Sequence, residues 1–388
     1  MYLNTGHRES HLSFRVAHKK QRYRSHNWSR LCSCTCSCSS PEKPEREHKS
    51  IFLFGSGYTS LALTGVLRSR GWTVHGTYRT RKKEEELTNC GIVPHLFEPA
   101  EGAGLDGFAK EALVASSAIL STIPPLSSST SPSDGRTSDL TARFLCQLDE
   151  ELPCLDWLGY VSTTGVYGDW RGEWVTEFSI PKSETPRGQA RISAEEDWRR
   201  LEALREYPLH IFRAGGIYGP LRNVLQSKAK LENAQRRQRE AYVSRIHVSD
   251  LVQILIKSIE NPQPGACYHL FPISISQDTN SSSCPGIYNA VDDCPSTRDA
   301  VTNFSLKLKG KSKSETSNVA TAVGEKDNET VSPSPVAADK GKRVSNQKVK
   351  SDLGVNLEFP SYIEGMKAII EGDIRPFDDQ LLRAYMSK

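Results

Sequence analysis

From Ser50 onward, short apolar runs alternate with stretches of helical spacing, and this rhythm restricts what the chain can fold into more than any other feature. Ile51 to Phe54, Thr73 to Tyr78, Ile92 to Phe97, Ala118 to Thr122, Gly159 to Ser162 and His210 to Arg213 each read as a strand. Between them lie helical patterns. Leu63, Val66 and Leu67 share one face, Leu140 to Leu148 has helical spacing, and Ala194, Trp198, Leu201 and Leu204 recur three and four apart. Strands separated by helices must run parallel, because the crossover returns each strand in the same direction. The expected class is α/β, with a doubly wound parallel sheet over residues 50–271.

Two segments break the pattern. Residues 272–285 are Ser-rich and lie between Pro264-Gly265 and Pro285-Gly286, which is the composition of a loop insertion. Residues 306–342 contain almost no large apolar side chains, so burial there does not offset the entropy of ordering and disorder is expected. Apolar residues return at Leu353 to Ile370. Residues 286–305 and 343–388 are therefore expected to form a small C-terminal subdomain on the substrate side.

Charge is unevenly placed. Residues 1–50 hold ten Lys or Arg against four Glu, a surplus of six in a chain whose net charge is +4, so the remainder is slightly acidic. A leader rich in Arg, His and Ser, without the apolar centre of a secretory signal, has the composition of an organellar transit peptide. We assign it to residues 1–49 and place the protein in the chloroplast because Ser and Cys crowd residues 32–40, with mitochondrion or cytoplasm as alternatives. The competing reading is a basic arm for nucleic acid. It is weakened by the absence of a basic patch in the body, and no nucleic-acid partner is expected. Cys32, Cys34, Cys36 and Cys38 lack the paired spacing of a zinc site, so no metal is expected. The longest apolar runs stop far short of the roughly 18 residues that span a bilayer, so no membrane association is expected.

The first strand ends in Gly55-Ser56-Gly57 and opens into a helix. Such a turn lets backbone N–H groups approach a pyrophosphate, whose charge the helix N-terminus favours. Ser60 stands where the third glycine of a dinucleotide turn is usual. At the end of the second strand, where a carboxylate often holds the ribose hydroxyls, the chain reads His75-Gly-Thr-Tyr-Arg79-Thr-Arg81. Arg79 and Arg81 are suited to a 2′-phosphate, which favours NADP over NAD; the alternative is two solvated surface arginines. Glu98, ending the third strand, either meets the adenine or is an exposed carboxylate.

Four segments carry a resemblance: Phe54-Gly-Ser-Gly-Tyr-Thr-Ser60, Tyr160-Val-Ser-Thr-Thr-Gly-Val-Tyr-Gly168, Phe212-Arg-Ala-Gly-Gly-Ile-Tyr-Gly-Pro220 and Ser244-Arg-Ile-His-Val-Ser-Asp250. Together they resemble the extended short-chain dehydrogenases/reductases, the NAD-dependent epimerase/dehydratase group. The likeness is nearest to an atypical branch similar to bacterial YeeZ-type homologues and their plant counterparts. It implies a Rossmann-type fold, with Gly55, Gly57, Tyr58, Thr59 and Thr122 against the cofactor and Thr163 positioning a substrate oxygen.

The resemblance also implies a Tyr-x-x-x-Lys pair for proton exchange, and here the chain departs from it. Arg187 occupies the Tyr position and Arg191 the Lys position. Arginine stays protonated far above neutral pH, so it does not cycle a proton as a perturbed phenol does. Four apart on one helix, the two guanidinium groups either clamp an anion, with Arg191 still reaching the ribose, or pair with Glu195 and Glu196. Tyr167 and Tyr218 read as packing residues, and His247 and Asp250 as a helix cap. Arg245 is a candidate contact for a substrate phosphate, or a surface residue. Two functions follow: an NADP-dependent oxidoreductase or epimerase acting on an anionic small molecule, nucleotide-linked ones included, or an inactive module that senses NADP(H).

Overall fold

The computed structural model describes residues 49–98, 104–126, 139–226, 240–262, 286–315 and 340–386. The leader up to His48, the 272–285 segment and residues 316–339 lie outside them.

Seven strands make the central sheet: β1 (Ser50–Phe54), β2 (Thr73–Tyr78), β3 (Val93–Leu96), β4 (Ala118–Ser121), β5 (Trp157–Thr163), β6 (Leu209–Ala214) and β7 (Ile287–Ala290). Their spatial order is β7-β6-β5-β4-β1-β2-β3, with every pairing parallel. The order reverses beside β1. That switch point opens a crevice at the strand C-termini, where ligands of doubly wound sheets bind. The expected Rossmann-type α/β fold is therefore the observed one.

Helices α1 (Tyr58–Ser69), α2 (Arg81–Asn89), α3 (Gly107–Ala115), α4 (Leu140–Gln147), α5 (Pro186–Arg205) and α6 (Val248–Glu260) are followed, after the sheet is complete, by α7 (Arg298–Glu315), α8 (Gln347–Leu353), α9 (Tyr362–Ile370) and α10 (Asp379–Met386). Alternate residues of β1 feed two different cores. Ile51 and Leu53 pack with Leu61 and Leu63 of α1 and with Leu251 and Leu255 of α6. Phe52 and Phe54 pack on the other face with Leu145 of α4 and Trp198 of α5. A strand buried on both faces has no polar alternation to show, which is why its sequence is a continuous apolar run.

Three expectations need correction. Residues 287–290 are not part of a C-terminal subdomain; they are the edge strand β7, paired with Ile211 to Ala214 of β6. All four are buried, so the sheet gains a fully buried edge strand. Residues 306–315, read as disordered, continue α7. That helix is anchored upstream, where Val301 and Phe304 pack with Tyr218, Tyr362 and Met366, and extending an anchored helix is far less costly than starting one. Residues 340–342, at the other end of the expected disordered stretch, lie along 168–172: the Gly341 amide donates to Asp169 Oδ1 (3.0 Å), and the Gly341 carbonyl accepts from the Trp170 and Gly172 amides.

The C-terminal segment is also spread more widely than one subdomain. α8 packs on α6 and β7, α9 on α7, and α10 on α1 and α2.

Candidate functional site

The turn after β1 is shaped by steric necessity. Gly55 has φ +93°, and a Cβ there would lie 2.9 Å from Thr122 Oγ1 and 3.0 Å from Ile123 Cγ1. Its amide donates to Thr77 Oγ1 (2.8 Å), and the Ser56 hydroxyl donates to the Thr77 carbonyl (3.0 Å), which ties the turn to β2. Gly57 caps α1 in an extended conformation without any side-chain acceptor, and a Cβ there would meet open space. The first amides of α1 thus face the crevice without a capping oxygen of their own. Ser60 fastens what a third glycine would leave loose: its hydroxyl donates to Gly55 O (2.6 Å) and lies 2.9 Å from Thr122 Oγ1.

From this turn a cavity of about 950 Å³ runs across the C-terminal ends of β1, β4, β5 and β6. That size falls at the upper end for small-molecule and cofactor sites. Gly57, Tyr58, Thr59 and Thr122 line one part of it, and Thr163, Arg187 and Arg191 another. The site residues read from those three motifs are therefore brought together. Thr163 ends β5 and its Oγ1 accepts from the Gly165 amide (3.1 Å), so the hydroxyl oxygen is oriented before any ligand arrives.

The two arginines have different roles. Thr185 caps α5, with Oγ1 accepting from the Gly188 amide (3.1 Å) and Pro186 in the first turn. Arg187 then stands exposed at the cavity rim, with no hydrogen bond or ion pair among the described residues. Arg191, one turn on, donates from Nη1 to Tyr160 OH (2.9 Å) and to the Val161 carbonyl (2.9 Å), so it is committed to β5. Tyr160 itself is fully buried, and burial pushes its phenol well above the ordinary tyrosine range, so it offers no proton to the cavity.

Neither arginine pairs with Glu195. That carboxylate binds Arg213 instead, accepting from Nη2 at 2.7 Å and from Nε at 3.1 and 3.2 Å, while the Ser162 hydroxyl donates to it at 2.6 Å. Arg213 Nη1 also donates to Tyr167 OH (2.9 Å), whose own proton goes to Asn289 Oδ1 (2.8 Å). This network beneath Ser162 and Thr163 was missed in the sequence. Arg213 and Glu195 were visible there, but nothing in their spacing shows that they meet.

The cavity wall is strongly one-sided in charge. Arg187, Arg191, Arg222, Arg298 and Lys342 line it, and no Asp or Glu does among the described residues. Arg222 lies 5.4 Å over the Tyr58 ring, and Lys342 Nζ donates to the Gly168 carbonyl (2.9 Å). Burial lowers the Lys342 pKa, with Asp169 opposing. Arg222, Arg298 and Lys342 were not singled out from sequence, because loops and a late segment deliver them.

Other expected site residues lie elsewhere. Arg79 and Arg81 are exposed and line a separate groove of about 810 Å³ with Tyr78, Glu84 and Glu85. Glu98 is exposed and lines neither space. Arg245 does not line the cavity, although Tyr242, Val243 and Ser244 just before it do. The Arg245 guanidinium instead donates to the Val243 and Ser296 carbonyls (3.0 and 2.8 Å). His247 caps α6, with Nδ1 accepting from the Ser249 amide, and Asp250 accepts the Glu358 and Phe359 amides (2.7 and 3.0 Å). Tyr218 donates to the Ser361 carbonyl (3.2 Å). Among the described residues no cluster of three or more His, Cys, Asp or Glu is arranged to hold a metal ion, and no helix is long and apolar enough to cross a membrane.

No protein-family profile and no curated protein matches the chain. Solved structures do. A conserved protein of unknown function from Silicibacter pomeroyi is 29% identical, covering 84% of this chain and 99% of its own, with a TM-score of 0.57. UDP-glucuronic acid 4-epimerase from Bacillus cereus, in complex with UDP-glucuronic acid and NAD, is 15% identical over 84% of this chain and 99% of its own, with a TM-score of 0.57. dTDP-glucose 4,6-dehydratase from Bacillus anthracis, in complex with NAD, is 14% identical over 87% of this chain and 99% of its own, with a TM-score of 0.59. The last two likenesses show a shared fold.

Proposed function

We propose that this chain binds a nicotinamide dinucleotide in the cavity over Gly55 and Gly57 and acts, as an epimerase/dehydratase-type oxidoreductase, on an anionic, nucleotide-linked small molecule. One observation carries the reading: five cationic side chains and the open N-terminus of α1 face a single cavity that no carboxylate lines among the described residues. A ligand with several negative charges is what such a wall recognises. The fold shared with two proteins solved with NAD, one of them also with UDP-glucuronic acid, supports that class of ligand. Membership of the YeeZ-like branch and a chloroplast location following a cleaved leader belong to the same proposal.

The residues divide the work. Backbone amides of Gly57, Tyr58 and Thr59 would hold the pyrophosphate, and Thr122 would close the turn behind it. Thr163 would hold the substrate oxygen, and Arg187 would engage the substrate's charge. The bound dinucleotide supplies hydride chemistry. NADP is preferred to NAD because Arg79 and Arg81 follow β2 in a stretch without an acid before Glu84; the 2′-phosphate would lie in the groove that they line with Tyr78, outside the cavity itself.

A second reading, a module that senses NADP(H) without turnover, is favoured by a specific observation. Arg191 is spent on Tyr160 and Val161, and Arg187, which has no hydrogen bond or ion pair among the described residues, is a guanidinium that stays protonated and cycles no proton.

Thermal melting of the full chain with NADPH and NADH in parallel tests the proposal. NADPH at 100 times its dissociation constant adds about 2.7 kcal/mol, and at equal concentration the shift should be larger for NADPH than for NADH and fall to the NADH level in Arg79→Ala. No shift with either nucleotide overturns the proposal. Binding without absorbance change across a nucleotide-sugar panel selects the sensor.

A further inference from the structure

The final helix reaches the cavity. Leu381, Leu382 and Ala384 of α10 are buried in the same core as Leu61 and Leu63 of α1. Gly65 of α1 gives them their seat, since a Cβ there would lie 2.9 Å from Leu381 Cδ1 and 3.1 Å from the Pro376 carbonyl. The N-terminus of α10 is capped by Asp378, whose Oδ1 accepts from the Leu381 amide (2.8 Å), and near its C-terminus Lys83 Nζ donates to the Ala384 carbonyl (3.3 Å). A helix fixed at both ends projects its next side chain with little freedom.

That side chain is Tyr385. It is half-buried and lines the same cavity as Gly57, Tyr58 and Thr122. Its ring lies 4.8 Å from that of Tyr58, at 57°. Tyr58 is itself immobile: its hydroxyl donates to the Pro220 carbonyl (2.8 Å), and Phe377 packs on it at 5.0 Å. The aromatic pair therefore forms a firm wall at the start of α1, beside the amides that would hold a pyrophosphate.

We propose that Tyr385 is a dinucleotide-binding residue, and that α10 completes the nucleotide site from the far end of the chain. The inference rests on the dinucleotide reading above. Its contribution is the ring, which covers the bound pyrophosphate and keeps water from its contacts with the α1 amides. The hydroxyl is secondary.

The test is a fluorescence titration of the full chain with NADPH and NADH, comparing wild type, Tyr385→Ala, Tyr385→Phe and Arg383→Ala. Arg383 is exposed on the same helix and does not line the cavity. Tyr385→Ala should weaken both nucleotides about tenfold, the loss expected for a removed aromatic contact, while Tyr385→Phe and Arg383→Ala stay within about twofold of wild type. Wild-type affinity in Tyr385→Ala overturns the inference, and so does an equal loss in Arg383→Ala, which would mark a general loosening of the helix.

A variant-free measurement covers the case in which Tyr385→Ala does not fold: NADPH should slow tetranitromethane nitration of Tyr385 severalfold in the wild type, and unchanged nitration overturns the inference. Wild-type protein that binds neither nucleotide overturns the functional reading and this inference with it. Binding that is indifferent to Tyr385 overturns the inference alone.

Discussion

Replacing Glu195 with Ala should be among the most damaging single changes in the fold, although Glu195 lines no cavity. Its carboxylate and the Arg213 guanidinium are each about 1% exposed. The substitution removes three Arg213 hydrogen bonds, the Ser162 bond and an ion pair to Arg199 (3.2 Å). The lost contacts matter less than what remains, a guanidinium sealed from water with, among the described residues, only Tyr167 OH and a long bond to the Glu177 carbonyl to satisfy it. Leaving one partner of a buried pair uncompensated costs about 3–5 kcal/mol. At roughly 2–4 °C per kcal/mol, the melting temperature should fall by about 6–20 °C.

The same reasoning makes a sharper demand on the double variant Glu195→Met/Arg213→Met. It removes both charges and fills the volume, so it should recover most of the loss. Urea denaturation of Glu195→Met, Arg213→Met, the double variant and wild type gives the coupling energy directly. A loss under about 1 kcal/mol for Glu195→Ala, or a double variant no better than the single, would refute the account of a buried pair as a matched liability.

Two further outcomes follow from the geometry. Gly55→Ala forces a Cβ into the left-handed region and onto Thr122 Oγ1, so it should cost about 2 kcal/mol and abolish nucleotide-induced stabilisation; an alanine variant as stable as wild type in urea would contradict this. Burial, with Arg375 adding and Asp373 opposing, holds the His247 pKa at about 4, below the roughly 6.5 of an unfolded histidine, so the unfolded chain takes up more protons in between. This contribution is complete above pH 6.5 and is lost as pH falls toward 4. The stability difference between wild type and His247→Asn should therefore shrink by up to about 3 kcal/mol over that window, and a pH-independent difference in denaturant titrations would remove the argument.

The sheet was legible because its strands are buried on both faces, which forces continuous apolar runs such as Ile51 to Phe54. The Gly-rich turn was legible for a similar reason: Gly55 has both a positive φ and no room for a Cβ. What escaped the sequence was whatever depends on a side chain's direction. Arg191 shares a helix with Arg187, yet one turns inward to Tyr160 and the other stays at the rim. Arg245, a candidate for either a substrate phosphate or the surface, does neither: its guanidinium turns to the Val243 and Ser296 carbonyls. Residues 306–315 and 340–342 were misjudged because composition measures what a segment can bury alone, whereas α7 and Gly341 are held by partners distant in sequence.

Gly57 and Tyr385, which line one cavity, are 328 positions apart in the chain. During synthesis the N-terminal strands emerge first, and the sheet can assemble long before α10 exists. The mouth of the cavity is then open until the last turn of helix docks on α1. Nucleotide binding of the kind proposed would accordingly report that α10 had docked on α1, and a chain whose α10 was displaced would keep its sheet core without acquiring its ligand.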